Sequence, residues 1–145
     1  MSEIVLRRAE SGDAATVAAL ATELGYPCDE EAMLPRLEDA LAAGSRDVIV
    51  AEDEGEVVGW IELAVVSALE SGEWVEIRGL IVAAGRRGSG IGKELVAAAE
   101  SWAATRGYAQ LRVRMNVKRE RTKLFYEKCG FMATKMSHVF DKRVL

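Results

Sequence analysis

Three glycines in five positions, Gly88, Gly90 and Gly92, separate a strand-like run from a helix-like run, and this junction constrains the chain more than any other stretch. The run before it, residues 73–82, ends in Leu80, Ile81 and Val82. The run after it places Ile91, Leu95, Val96, Ala99, Trp102 and Ala103 at helical spacing. Glycine lets the backbone approach a ligand closely and adopt conformations that other residues avoid. Free N–H groups at a helix N-terminus favour phosphate, and Arg86, Arg87 and Lys93 add positive charge. These features predict a pyrophosphate cradle over Arg87, Gly88, Ser89, Gly90, Ile91, Gly92 and Lys93.

Two familiar phosphate loops fail against these residues. A G-x-x-x-x-G-K-[ST] loop ends well at Gly92 and Lys93, but Arg87 replaces its first Gly and Glu94 its magnesium-binding hydroxyl. The dinucleotide fingerprint G-x-G-x-x-G starts at Gly88 and Gly90, but Lys93 holds its third Gly position. The bland alternative is a glycine-rich turn flanked by solvated basic residues.

The stretch from Arg87 to Gly92 resembles the Q/R-x-x-G-x-G/A signature of the GCN5-related N-acetyltransferases. A second block, residues 124–131 (L-F-Y-E-K-C-G-F), is similar to that family's FYEKLGF segment. Order and separation also match, with a strand-like segment between the blocks. The resemblance covers residues 46–137 well and the N-terminal 45 in outline. It implies acetyl transfer from acetyl-CoA to an amine.

The bounds agree. With 145 residues, half of them hydrophobic, the chain is long enough for one domain, 1–145, with a real core, and disorder is not expected. The formal net charge of −4 argues against nucleic acid as a partner. No apolar run reaches the length of a membrane span, and no signal-peptide pattern is visible, so a cytoplasmic location is expected. Cys28 and Cys129 form no metal spacing, and the single histidine, His138, builds neither a metal site nor a triad, so no metal is expected.

In chain order, the pattern predicts a strand over 3–8, helices over 13–24 (capped by Asp13) and 30–43 (capped by Asp29), and strands over 47–53, 56–68 and 73–82. Glu54-Gly55 signals a hairpin turn. A helix over 90–105, a strand over 110–115, a helix over 118–128 and final strands over 131–136 and 138–144 complete the order. Pro35 predicts a shifted or kinked start to the second helix. The fold class is α+β. The resemblance implies the GNAT fold, a mixed, mostly antiparallel sheet of six to seven strands flanked by about four helices.

Direct transfer to an amine needs a neutral nucleophile, a donor for the developing oxyanion and a proton for the departing thiolate. No covalent intermediate is needed when both substrates are held together. By resemblance, backbone groups of Leu80, Ile81 and Val82 serve CoA where the central strands part. Asn116 and Phe125 meet the pantetheine arm, Lys128 reaches a phosphate, and Tyr126 protonates the thiolate. Thr122 stands where relatives often carry Ala. The base is open between Glu76, Glu62 and a water chain.

The acceptor is the least determined part. Trp60 and Glu62 are candidate acceptor contacts; by resemblance the region of Tyr26, Met33 and Leu37 covers the acceptor site, which makes those three candidates too, although core or loop is the simpler reading of each. Asp53, Glu62, Glu70, Glu73 and Glu76, with Trp60 and Trp74, suggest an acidic, aromatic site for a cationic amine, either a small molecule or a protein amino group. The polar outer face of an antiparallel sheet explains the same residues. The rival functions are a catalytically idle acetyl-CoA-binding or interaction module and transfer of a larger acyl group. A homodimer through the C-terminal strands is left open.

Overall fold

The computed structural model describes residues 3–145. The chain packs as two compact units, the first reaching to Arg114 and the second Met115–Leu145.

The first unit carries a single sheet of five strands in the order β1-β2-β3-β4-β5. These are β1 (Ile4–Arg8), β2 (Arg46–Asp53), β3 (Glu56–Ala68), β4 (Gly72–Val82) and β5 (Leu111–Val113). The first four are antiparallel neighbours, and β4 and β5 are parallel, so the sheet is mixed. The β2–β3 hairpin turns through Glu54 (φ 52°) and Gly55 (φ 82°), the two positive φ values of a twist-matched two-residue turn.

Helices cover both faces. α1 (Ala14–Glu23) and α2 (Glu30–Ala42) pack one face, where Val17, Leu20, Ala21, Leu37 and Ala40 join Val48, Val50, Trp60 and Ile81 in one buried cluster. α3 (Ile91–Thr105) buries Ile91, Leu95, Val96, Ala99, Trp102 and Ala103, the same stripe that the spacing predicts. Leu95 is fully buried. Leu95→Ala should therefore cost about 2–5 kcal/mol, read as a lowered midpoint in chemical unfolding; a loss under about 1 kcal/mol would contradict this packing.

Capping follows the sequence in one case and departs from it in another. Asp29 accepts the Ala32 N–H at 2.8 Å and starts α2, which runs through Pro35 without a break. Asp13 precedes α1 but makes no cap bond; its carboxylate takes two bonds from Arg7, each 2.9 Å, and the Glu10 N–H at 2.7 Å.

The second unit holds α4 (Glu120–Lys128) and no strand among its described residues. This corrects the expected six to seven strands: the sheet ends at β5, and residues 131–145 form neither helix nor strand. Alternating apolar residues make a strand only where a ladder partner takes up their N–H and C=O groups. Met132, Met136, Val139, Phe140, Val144 and Leu145 are exposed instead. The homodimer surface expected on those strands is therefore not formed as strands.

Candidate active site

The junction that the sequence marks out is a strand edge leading into a helix start. β4 pairs β3 along its whole length, down to Gly59↔Val82. On its other side it pairs β5 only at Val75↔Leu111, Glu76↔Arg112 and Ile77↔Val113. Beyond Ile77 that edge of β4 has no ladder partner among the described residues. The β3–β4 register slips at Glu62/Leu63, so that Arg78 is the extra residue of a bulge where the strands part. Ala83 donates to the Val58 carbonyl at 2.8 Å, which points its peptide groups toward β3. Strand peptide groups alternate in direction, so Val82 and Leu80 present theirs to the open edge, while those of Ile81 face β3.

The loop continues through a 3-10 turn (Ala84–Arg86) to Gly88 (φ 80°) and Gly90 (φ 89°). Gly90 is the residue before α3 and sits in the left-handed region with no side-chain cap on the helix. The first-turn N–H groups of Ile91, Gly92 and Lys93 thus have no partner among the described residues, which is an anion-binding geometry. Arg87 and Lys93 are exposed beside it. Arg86 Nη1 is tied to the buried Asp53 carboxylate. The Ser89 hydroxyl donates within the loop, to the Arg86 carbonyl. Glu23, ending α1, accepts the Ala84 N–H at 2.6 Å and anchors the loop's start. These features fit a pyrophosphate and an extended CoA arm: free backbone donors, two exposed cations and an open strand edge.

Glu76 lies on the face shared with Trp74 and is buried. Its Oε1 accepts from Trp74 Nε1 at 3.2 Å and Arg114 Nε at 3.1 Å, and its Oε2 from Arg78 Nη1 at 2.7 Å. Burial pushes the carboxyl pKa up, but the hydrogen bonds from Trp74, Arg78 and Arg114 outweigh that and hold it below the usual carboxylate range. The expectation of Glu76 as a base does not fit this arrangement. Both oxygens are engaged, and a carboxylate with a depressed pKa is a poor acceptor for an ammonium proton.

The acidic cluster is corrected in part: Glu62 pairs with Arg46 at 3.0 Å, Asp53 with Arg86, and Glu76 with two arginines, while Glu70 and Glu73 are exposed. Trp60 is 8% exposed and belongs to the core, and a Cβ on Gly79 would sit 3.0 Å from its ring, a tight contact that the ring must yield to. Tyr26, after α1, is exposed. The arginines around Glu76 were missed as a group. The signal for Arg114 is the alternation of apolar and basic residues over 110–115, which sequence alone does not connect to a carboxylate on another strand; Arg78 lies two residues from Glu76 on β4.

In the second unit, Asn116 Oδ1 accepts the Lys118 N–H at 2.9 Å and shapes the turn before α4. Tyr126 is buried between edge-on rings, Phe125 at 5.1 Å and Phe131 at 5.4 Å. Burial, then the nearby Cys129, pushes the Tyr126 pKa up to about 12. Lys128 ends the helix, exposed.

Comparison with known proteins agrees with the fold. Residues 14–131 match the Acetyltransferase (GNAT) family. An aminoalkylphosphonate N-acetyltransferase of Salmonella typhimurium is 35% identical over 138 residues, covering 92% of this chain and 86% of that protein. Among solved structures, the aminoglycoside N-acetyltransferase AAC(6')-Iy in complex with CoA superimposes with a TM-score of 0.88 at 20% identity, covering 99% of this chain and 97% of that one. The aminoglycoside 6'-N-acetyltransferase AAC(6')-Ih from Acinetobacter baumannii gives 0.85 at 18% identity, with 98% and 99% covered. With residues 14–131 matched and a curated relative at 35% identity along most of its length, the chain belongs to the GNAT acetyltransferase family, and with it to the N-acetyltransferases.

Proposed function

We infer that this chain moves an acetyl group from acetyl-CoA to a primary amine by direct attack, with both substrates held together. The observation that carries this reading is the open edge of β4 beyond Ile77, continuous with a glycine loop and an uncapped helix start. Acetyl-CoA supplies the activated acyl group as a thioester. The first-turn N–H groups of α3, with Arg87 and Lys93, hold its pyrophosphate. Gly88, Ser89 and Gly90 contribute backbone, and the outward peptide groups of Leu80 and Val82 hold the arm and the acyl oxygen. Ile81, whose peptide groups face β3, backs that edge as core. A backbone donor aimed at a developing oxyanion is worth about 2.7–4 kcal/mol.

On the resemblance of its segment, Tyr126 gives its proton to the departing thiolate. A phenol whose pKa is about 12 is fully protonated at neutral pH and so is always loaded, while burial also makes it a weaker acid than an exposed tyrosine. Asn116, Phe125 and Lys128 serve the CoA arm on the same grounds. Glu76 positions Arg78 and Arg114, and the amine proton leaves through solvent. The acceptor is a small-molecule amine, the class to which the named relatives' substrates belong, with Tyr26 as a candidate contact.

Thiol release tests this reading. With acetyl-CoA and a panel of small amines, at least one amine should give release well above hydrolysis. Release that never exceeds the amine-free rate would refute transfer and favour an idle binding module. The same assay run with longer acyl-CoA donors separates acetyl transfer from transfer of larger groups.

A further inference from the structure

Arg78 and Arg114 stand at matching places. The last ladder pair between β4 and β5 is Ile77↔Val113, and the next residue on each strand is an arginine. Both guanidinium groups bond the same buried carboxylate, Arg78 to Oε2 and Arg114 to Oε1 of Glu76. Glu76's side chain is 3% exposed, whereas those of Arg78 and Arg114 are 52% and 54% exposed. Each arginine spends one nitrogen on Glu76; Nε and Nη2 of Arg78 and both Nη atoms of Arg114 have no partner among the described residues. Arg112 adds a third cation, stacked 4.3 Å over the Trp74 ring. Among the described residues, Glu76 is the one carboxylate paired with Arg78 and Arg114 and no ion pair engages Arg112, so three cations stand against one paired anion.

A buried carboxylate that fixes two forks side by side, with donors left over, makes a preorganised anion site. Held this way, the guanidinium groups lose less freedom on binding, and their planar forks suit a phosphonate, phosphate or carboxylate. The site lies at the head of the open β4 edge. Leu80, two residues beyond Arg78, is roughly 7 Å along the strand at about 3.3 Å per residue. A short chain between an amine and an acidic group spans such a distance. We propose that Arg78 and Arg114 bind an acidic group on the acceptor, so that the preferred substrate is an amine carrying a phosphonate, phosphate or carboxylate a few atoms away. This rests on the transfer reading given above. It reverses the sequence expectation of a cationic acceptor, because a polyamine would meet this arginine cluster.

The test compares four acceptors at saturating acetyl-CoA: 2-aminoethylphosphonate, β-alanine, propylamine and spermidine. Wild type, Arg78→Gln, Arg114→Gln and Arg78→Lys are assayed by thiol release, and each variant is checked for folding by thermal unfolding. One or both anion-bearing amines should exceed propylamine and spermidine in kcat/KM by tenfold or more, and the better of the two tells phosphonate from carboxylate. Each Gln variant should lower kcat/KM for that acceptor by about 10–100-fold, as for a lost charge-assisted bond, mostly through KM. Propylamine should change less than threefold, and Arg78→Lys should recover part of the loss. Methylphosphonate should inhibit wild type competitively against the acceptor and inhibit Arg78→Gln less. Preference for spermidine or propylamine would overturn the anion site while leaving the transfer reading intact, as would Gln variants that slow all acceptors equally. Absence of thiol release with every amine would overturn both.

Discussion

Tyr126→Phe should lower kcat by about 10²–10⁴-fold while leaving acetyl-CoA affinity unchanged, the range expected when a positioned general acid is removed. The substitution deletes one oxygen and keeps the ring, so the edge-on contacts with Phe125 and Phe131 survive and the fold should not suffer. A thiol of ordinary pKa near 8.5 is a modest leaving group as its anion, and a proton delivered as the C–S bond breaks removes that cost. The pH dependence has a definite sign. Protonated Tyr126 is the working form, and burial raises its pKa to about 12, so the acid is not lost near pH 10, where an unperturbed tyrosine titrates. Wild-type kcat should therefore show no decline with a midpoint near 10. Equal turnover in wild type and Tyr126→Phe would remove the acid role.

Gly90→Val should weaken acetyl-CoA binding by at least tenfold. Gly90 has φ 89° and ψ 0°, and it sets the direction from which α3 begins. No atom lies within 4 Å of the place a Cβ would take, so the effect is not a clash with neighbours. It comes from the backbone: a left-handed conformation costs an ordinary residue about 1–2 kcal/mol, and a β-branched residue adopts it rarely. Relaxing that strain turns the N–H groups of Ile91 and Gly92 away from a common focus. Gly85→Ala is the matching control, since Gly85 has open space around it and no positive φ. It should bind acetyl-CoA as wild type does. Unchanged affinity in Gly90→Val would mean that the loop is only a turn.

Much of this was legible in the sequence because it rests on local rules. The α3 stripe follows from helical period, the Glu54-Gly55 hairpin from turn chemistry, and the left-handed glycine turn into α3 from glycines placed between a strand and a helix. What failed depends on partners far away in sequence. The stretch 131–145 alternates like a strand, but alternation supplies no ladder. Asp13 looks like a cap, yet Arg7 competes for the same carboxylate with two bonds. Three of the carboxylates around the middle strands, Glu62, Asp53 and Glu76, read as part of an acidic patch because arginines distant in sequence pair with them: Arg46 from β2, Arg86 from the loop and Arg114 from just beyond β5. Charge sign at a site is a property of pairing, and pairing across strands is not written in spacing.

Isothermal titration with acetyl-CoA, run beside free CoA and ATP, tests the central claim most directly. The open β4 edge and the uncapped start of α3 predict saturable binding of acetyl-CoA on the order of micromolar, about −8 kcal/mol, with no comparable heat from ATP. Absence of binding to acetyl-CoA and CoA alike, or equal binding of ATP, would contradict the assignment of this edge and loop to a CoA thioester.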